Sequence, residues 1–152
     1  MRARRGQPAI PDVLDRRLTY LLGRVASSAR DQANRALRPL ALDTRHYAVL
    51  TVIAAQDAPS QRTIADALGI DRATVVALAD DLEQQRFARR TPSREDRRAK
   101  RLELTAQGRQ VLKRAHALME KCEAQFIGTL SITEQRQLGA MLEKLLPEGG
   151  LQ

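Results

Sequence analysis

The chain has 152 residues, 43% apolar and only 3% aromatic, which suits one mainly helical domain with a core of Leu, Ile, Val and Ala. Its 26 lysine and arginine residues outnumber 18 aspartate and glutamate residues, and the net charge of +8 favours a polyanionic partner. A single cysteine excludes an internal disulfide, and without a long apolar run we expect neither a membrane span nor a signal peptide, hence a cytoplasmic protein.

The amino-terminal part is predicted to be a flexible basic segment, residues 1–10, followed by a long helix over residues 11–38. Five apolar residues recur every three or four positions and give this helix one apolar face: Leu14, Leu18, Leu21, Val25 and Ala29. Pro39 ends the helix. Because such a long helix rarely closes a small domain alone, either the carboxyl-terminal helices or a second subunit must cover its apolar face.

A second helix is predicted after Leu42, with Asp43 or Thr44 as its cap. His46 and Tyr47 are adjacent in this helix, an arrangement that is more often a packing feature than a ligand site. The helix ends near residues 57–59, where Pro59 stands.

Residues 60–82 have the pattern of a helix-turn-helix. Ser60 and Asp71 are placed to cap two short helices, and Gly69 between them can take the positive φ of a tight turn. Small Ala65 lets the helices cross closely, and Val75 packs underneath. Two helices of an ordinary α domain can show the same pattern, so the following segment decides between the alternatives.

Residues 87–90 and 101–104 read as two short strands around a turn at Pro92 and Ser93. A helix-turn-helix followed by a β-hairpin is a winged helix. Residues 86–101 include eight basic and two acidic residues, so the positive charge is concentrated where a wing meets phosphate. Beyond the wing, Thr105 is placed to cap a long helix, and Ser131 with Glu134 has the spacing of a capping box before the last helix.

The segment from Asp96 to Thr105, followed by Ala106, Gln107 and Gly108, resembles the wing and the next helix start of MarR-type winged-helix repressors. Residues 68–75 are similar to the start of that family's recognition helix, and the resemblance covers nearly the whole chain. It implies a mainly α fold with a small β-wing, in which residues 43–105 form the winged helix-turn-helix. It also implies that residues 11–38 and 106–146 are dimerisation helices of a homodimer. Val76 and Ala77 depart from the polar residues of many relatives, and Arg86 stands where glycine is common.

The DNA-binding residues predicted on this basis form three groups. Base edges are assigned to Arg72, Ala73 and Thr74 near the amino end of the recognition helix. Phosphates are assigned to Ser60, Gln61 and Arg62 at the preceding helix start. The wing contributes Arg90, Arg94, Arg97, Arg98 and Lys100, with Asp96 orienting one of these arginines.

The resemblance further implies an effector pocket between the first helix, the Tyr47 helix and the helix after the wing. The candidate lining residues are Arg16, Tyr20, Arg24, His46 and Tyr47. Arginines there suit a small anionic aromatic ligand.

Catalysis, cofactors and metal binding are not indicated. Two histidines and one cysteine are too few for a closed zinc site, and no nucleophile–base pair, P-loop or GxGxxG motif is present. Asp80 and Asp81 diverge on a helix, and Cys122 shares an apolar stripe that predicts an inert buried thiol.

From the winged helix, the charge and the resemblance together, we predict a repressor that binds an inverted-repeat operator in double-stranded DNA and is released by a small molecule. The alternatives are a non-specific basic nucleoid or architectural protein and a helical partner-binding protein without DNA affinity.

Overall fold

The computed structural model describes residues 12–92 and 100–146, which form a helical molecule with one small antiparallel sheet. Its helices are α1 (Asp12–Asp15), α2 (Leu18–Leu37), α3 (Thr44–Ala55), α4 (Gln61–Leu68), α5 (Arg72–Gln84), α6 (Ala106–Ile127) and α7 (Ile132–Leu145). The strands are β1 (Ala88–Pro92) and β2 (Lys100–Leu104). The predicted mainly α fold with a β-wing is confirmed. None of the helices in the described ranges is both long and apolar enough to cross a membrane.

The prediction of a single helix over residues 11–38 is wrong, because the helix is interrupted at Arg16 and Arg17. Arg17 is extended, with φ −82° and ψ 117°, and α2 starts only at Leu18. The side chains of Leu14 and Leu18 on either side of the break are exposed, so burial within the described part of the chain does not stabilise a continuous helix there. The predicted carboxyl end is confirmed, since α2 stops at Leu37 and a 3₁₀ turn with Pro39 follows.

The predicted helix starts from α3 onward are confirmed, with a side-chain oxygen accepting a hydrogen bond from a free backbone N–H at each one. These N-caps are Asp43, Ser60, Asp71, Thr105 and Ser131. Ser131 and Glu134 form the reciprocal capping box that their spacing predicts. Gly69 ends α4 in the left-handed conformation with φ 60°, as the tight turn requires.

The core lies beneath the helix-turn-helix and joins every element from the end of α2 to the first half of α6. Its fully buried side chains are Leu37, Val49, Leu50, Ile64, Val75, Leu82 and Leu102. Val75 of α5 is among them, as predicted. Since burying such a side chain stabilises the fold by about 1.5–3 kcal/mol, α5 is held firmly from inside while its outer face stays open.

The wing is attached to the helices at both of its strands. Strands β1 and β2 pair from Ala88 opposite Leu104 to Pro92 opposite Lys100. On the outer side of β2, the Leu102 N–H donates to the Pro59 carbonyl at 3.0 Å, just before α4 begins. The base of the wing therefore lies against the amino end of α4.

Candidate nucleic-acid interface

The amino end of α5 presents the three residues that were assigned to base edges. Arg72 and Ala73 are exposed, whereas Thr74 is tied to the cap residue. Asp71 accepts from the Thr74 N–H at 2.8 Å and from the Thr74 hydroxyl at 2.5 Å. The hydrogen bonds from Thr74, from its hydroxyl first, hold the pKa of Asp71 below its ordinary value. Because the Thr74 hydroxyl donates its proton to Asp71, it can only accept a hydrogen bond from a base. Arg72 is then the main hydrogen-bond donor at this end of α5.

The amino end of α4 carries the residues that were assigned to phosphate. Ser60 caps the helix by accepting from the Thr63 N–H at 3.0 Å. The side chain of Arg62 is 83% exposed, with a long 3.8 Å approach to the exposed carboxylate of Asp66. Such an exposed pair is weak, so the Arg62 guanidinium can turn to an anion. The free N–H groups of the first helical turn also favour anions at this end.

These two helix ends and the wing enclose one groove of about 530 Å³. Its lining residues are Ser60, Gln61, Arg62, Arg72, Val76, Asp80, Arg90 and Lys100. The structure thus brings together six of the residues that the sequence assigned to DNA, and it adds Val76 and Asp80. Ala73 and Thr74 lie on α5 outside this lining.

Arg90, predicted to contact DNA, has its guanidinium occupied inside the chain. Its side chain is only 16% exposed, Nη1 lies 2.6 Å from Asp80 Oδ1, and Nη1 also donates to Glu83. The Gln61 amide, with its oxygen turned toward Arg90, accepts from Nη2 and Nε at 3.0 and 3.1 Å. The Arg90 backbone N–H donates to Glu83 at 2.7 Å.

Burial alone would lower the pKa of Arg90, but the hydrogen bonds and charges of Asp80 and Glu83 raise it above the ordinary value. This internal pairing makes Arg90 the link between the wing, α4 and α5 and leaves its guanidinium little exposed for the predicted DNA contact. The sequence does not reveal these acidic partners, since it presents Asp80 and Asp81 only as two adjacent carboxylates that diverge on a helix. Val76, Asp80 and Glu83 are spaced by four and three residues, so one face of α5 was recognisable.

The strands of the wing are further joined by a polar cluster. Arg89 donates to Glu103 Oε2 from Nε at 3.0 Å and from Nη2 at 2.7 Å, and the Thr91 hydroxyl donates to the other oxygen at 3.2 Å. The bond from Arg89 contributes most to holding the pKa of Glu103 below its ordinary value. Lys100 is exposed at the start of β2. The remaining predicted wing residues lie outside the described part of the chain: Arg94, Asp96, Arg97 and Arg98.

The five predicted effector-pocket residues lie in α2, in α3 and in the turn that precedes α2. Arg16 is exposed at the break before α2, and the Arg24 guanidinium carbon lies 5.9 Å from the Tyr20 ring centroid. His46 and Tyr47 diverge. His46 Nδ1 lies 2.8 Å from Asp43 Oδ1, whereas the Tyr47 hydroxyl lies 2.8 Å from His116 Nδ1 on α6.

A cleft of about 410 Å³ does lie between α2, α3 and α6, where the resemblance implies the effector pocket. The wall of this cleft is mainly apolar, and none of the five predicted residues belongs to it. Its lining residues are Ala29, Arg30, Ala33, Thr44, Met119, Cys122, Glu123, Phe126 and Ile127. Cys122 is only half-buried, so the prediction of a buried thiol holds in part. Among the described residues, no group of three or more His, Cys, Asp or Glu side chains is placed to hold a metal ion.

Known proteins share this architecture over nearly the whole chain. Residues 42–99 match the model of the MarR family. The transcriptional repressor CouR bound to a 23-mer DNA duplex is 30% identical, with a TM-score of 0.84 over 91% of this chain and 99% of that one. CouR from Rhodococcus jostii RHA1 bound to p-coumaroyl-CoA is 29% identical, with a TM-score of 0.77 over 88% of this chain and 94% of that one.

A more distant protein, a mutant MarR from E. coli complexed with operator DNA, has the same fold. It is 21% identical, with a TM-score of 0.81 over 91% of this chain and 100% of that one. The winged helix-turn-helix, the match over residues 42–99 and the 30% identity to the repressor CouR agree. The chain therefore belongs to the MarR family, whose members are DNA-binding transcriptional regulators and not enzymes.

Proposed function

We propose that this protein is a homodimeric repressor that binds an inverted-repeat operator in double-stranded DNA and is released by a small-molecule effector. The observation that carries the proposal is the groove between α4, α5 and the wing. Exposed Arg62, Arg72 and Lys100 converge there around the open amino end of α5. The related repressor CouR is bound to a DNA duplex, which supports DNA binding by this chain.

Base recognition is assigned to the amino end of α5. Arg72 is exposed and can donate two hydrogen bonds to guanine O6 and N7 in the major groove. Val76 lies one helical turn further along in the same groove and offers only an apolar contact, for which a thymine methyl is the fitting partner. Arg72 is thus the main source of sequence preference among the described residues.

Phosphate binding is assigned to the start of α4 and to the wing. The Ser60 cap places free backbone N–H groups and the exposed Arg62 at one helix end. Lys100 lies across the groove from them. The wing residues Arg94, Arg97 and Arg98 extend this basic surface in the proposal, with Asp96 holding one of them in place.

The dimer is proposed from the distribution of exposed apolar side chains. Within the described residues, all exposed large apolar side chains lie at the two ends: Val13, Leu14, Leu18, Leu21, Leu22, Val25, Ile132, Met141, Leu142, Leu145 and Leu146. Helix α7 has no buried residue at all within the chain. Water contact is unfavourable for such surfaces, so we assign residues 11–38 and 106–146 to dimerisation and 43–105 to DNA binding. A two-fold axis then presents two α5 helices to half-sites about 10 bp apart.

The effector is assigned to the cleft between α2, α3 and α6. Its apolar wall suits an aromatic ring system, and Arg30 at its edge suits an anionic group. Thr44 lines the cleft, and its N–H donates to Asn34 of α2 at 2.9 Å. A ligand that separates α2 from α3 would break this bond at the start of α3. The binding of p-coumaroyl-CoA by the related CouR supports a ligand for this chain as well.

Two arginine variants test the proposed function by separating base contacts from phosphate contacts. Arg72→Ala should weaken operator binding by about 1–3 kcal/mol and random DNA binding much less. Arg98→Ala should weaken binding to both DNAs and reduce the slope of log K against log salt by about 0.9, one phosphate contact. Salt titrations on operator and random DNA measure both effects.

The operator itself comes from sequencing the fragments that the protein selects from a random DNA pool. Equal losses on both DNAs for Arg72→Ala, together with no selected consensus, would identify a non-specific architectural protein instead.

A further inference from the structure

The ring of His46 connects the cap of α3 to the recognition helix. It is 14% exposed, with Nδ1 2.8 Å from Asp43 Oδ1 and Nε2 3.5 Å from Asp81 Oδ2. Asp43 is the N-cap of α3, and Asp81 lies in the carboxyl-terminal half of α5. One side chain therefore spans the two elements that the core already packs together.

The protonation of this ring decides how many carboxylates it can bind. A neutral imidazole donates from one nitrogen only. When Nδ1–H donates to Asp43, Nε2 keeps a bare lone pair that is buried and directed toward a second carboxylate. In the part of the chain that the structure describes, Nε2 has no hydrogen-bond partner. A protonated ring has an N–H at each nitrogen and can serve both Asp43 and Asp81.

The charged groups around the ring are mainly acidic. On its own helix it faces Asp43, whose other oxygen lies 3.7 Å from Arg45, and on α5 it faces Asp81. Asp80, the residue before Asp81 on α5, forms an ion pair with Arg90 instead. From α6, His116 contacts Tyr47 and not His46, and from α2, Asn34 contacts the Thr44 backbone.

Asp43 stays ionised in this environment. Burial alone would raise the pKa of Asp43, but the hydrogen bonds and the charge of His46, together with the Arg45 N–H, hold it below the ordinary value. The ring thus always meets a carboxylate on its Nδ1 side near neutral pH. Its second attachment, to Asp81, depends on the proton.

We propose that protonated His46 is a positioning residue that fixes the carboxyl-terminal half of the recognition helix to the start of α3. Operator binding is then stronger at about pH 5.5 than at pH 8, across the range in which histidine changes charge, because a pre-oriented α5 loses less freedom on binding. The inference rests on the proposed function for its DNA measurement, and it adds a proton-dependent contact behind the DNA-binding face.

A double-mutant cycle between His46→Asn and Asp81→Asn tests the contact. Asparagine can keep the bond from the Nδ1 side to Asp43 but does not reach Asp81. At pH 5.5, His46→Asn should weaken operator binding by about fivefold in the parent, as expected for one charge-assisted contact. It should have no effect in the Asp81→Asn background, and at pH 8 the loss should vanish in both backgrounds.

Two control variants accompany the cycle. In an Asp80→Asn background, His46→Asn should still weaken binding as in the parent, because Asp80 binds Arg90. His116→Asn, the variant of the only other histidine, should keep the pH dependence of operator binding. The proposal is overturned if the loss caused by His46→Asn is the same with and without Asp81, or the same at both pH values.

The same cycle on urea unfolding of the DNA-free protein, at constant protein concentration, separates this proposal from the proposed function. If the two substitutions are coupled in the free energy of unfolding but not in DNA affinity, the positioning role of His46 is overturned. The proposed function, tested by Arg72→Ala, is not affected by that result. A parent protein without operator preference would overturn the proposed function, and coupling in unfolding would then still show the proton-dependent contact.

Discussion

At the scale of single residues, Gly108 sets how closely α6 approaches the wing. The Thr105 N–H donates to the Phe87 carbonyl at 3.0 Å, and the Thr105 hydroxyl donates to the Arg86 carbonyl at 2.6 Å. A Cβ at position 108 would lie 1.8 Å from the Phe87 carbonyl oxygen. The glycine is required because backbone from the residue before β1 occupies the space where any side chain would begin.

Gly108→Ala should therefore destabilise the protein by at least about 2 kcal/mol, since the backbone must shift to remove the overlap. Urea unfolding measures the loss. Gly23→Ala is the matched control, because nothing lies within 4 Å of a Cβ there. It should instead stabilise helix α2 by about 0.5–1 kcal/mol. Equal stabilities of the two variants would contradict the close approach at Gly108.

The backbone at Arg86 adopts a conformation that favours glycine. Its φ is 61°, in the left-handed region, directly after α5. In this conformation a residue with a Cβ destabilises the folded state by about 1–2 kcal/mol. Glycine avoids this penalty, but part of the benefit is lost because glycine also has more conformational freedom in the unfolded chain. The turn is thus strained by the residue that this chain carries.

Arg86→Gly should raise the free energy of unfolding by about 0.5–1 kcal/mol. Arg86→Ala keeps a Cβ and the same backbone conformation, so it should give no such gain. Thermal and urea unfolding of the pair provide the measurement. A gain from alanine as large as that from glycine would mean that the arginine side chain, and not the backbone, causes the strain.

At the scale of elements, α4, α5 and the wing form one unit because Arg90 joins all three. Its guanidinium reaches Gln61 on α4 and both Asp80 and Glu83 on α5, while its backbone belongs to β1. A planar guanidinium can bind several acceptors at once, which a lysine ammonium cannot do in the same geometry. We therefore expect DNA affinity to depend on Arg90 through the position of the wing and not through a direct DNA contact.

Arg90→Ala should weaken binding to operator and random DNA alike by about tenfold, and Arg90→Lys should not restore it despite keeping the charge. Fluorescence anisotropy on both DNAs measures the change. Arg89→Ala is the control on the same strand, where the exposed pair with Glu103 contributes at most about 1 kcal/mol. Full recovery with lysine would show that charge at position 90 matters and its geometry does not.

At the scale of the whole molecule, the core accounts for the DNA-binding region but leaves both ends of the chain uncovered. Helix α2 contacts α6, yet its outer face still exposes Leu18, Leu22 and Val25. Helix α7 exposes Met141 and Leu145. A second copy of the chain can cover these faces symmetrically, and each exposed residue then appears twice in the interface.

Val25→Glu should raise the dimer dissociation constant by more than about 100-fold, since the two-fold axis places two charges in an apolar interface. Val25 is 52% exposed in the single chain, so the monomer should keep its helix content. Light scattering on dilution, with circular dichroism, measures both. Ser27→Glu, on the opposite side of α2, should leave the dimer intact. A parent protein that is a folded monomer in dilute solution would contradict the assignment.

Local sequence was sufficient to predict the helix starts from α3 onward, the turn at Gly69 and the presence of two wing strands, although β1 continues through Pro92, where a turn was predicted. Each depends on neighbouring residues: a cap oxygen needs an N–H two or three positions later, and the turn needs one glycine. The burial of Val75 beneath the two helices was likewise predicted from the helix-turn-helix pattern. The positive charge of residues 86–101 predicted a surface for nucleic acid, since it does not depend on packing.

Tertiary structure alone decided which polar side chains are free to act. Positions 72 and 90 both carry arginine, but Arg90 lies against Asp80 and Glu83 while Arg72 is exposed. His46 and Tyr47 are neighbours in sequence, yet successive residues of a helix point about 100° apart, so they meet different elements. Pairing across elements depends on how helices pack, and no local pattern in one segment contains that information.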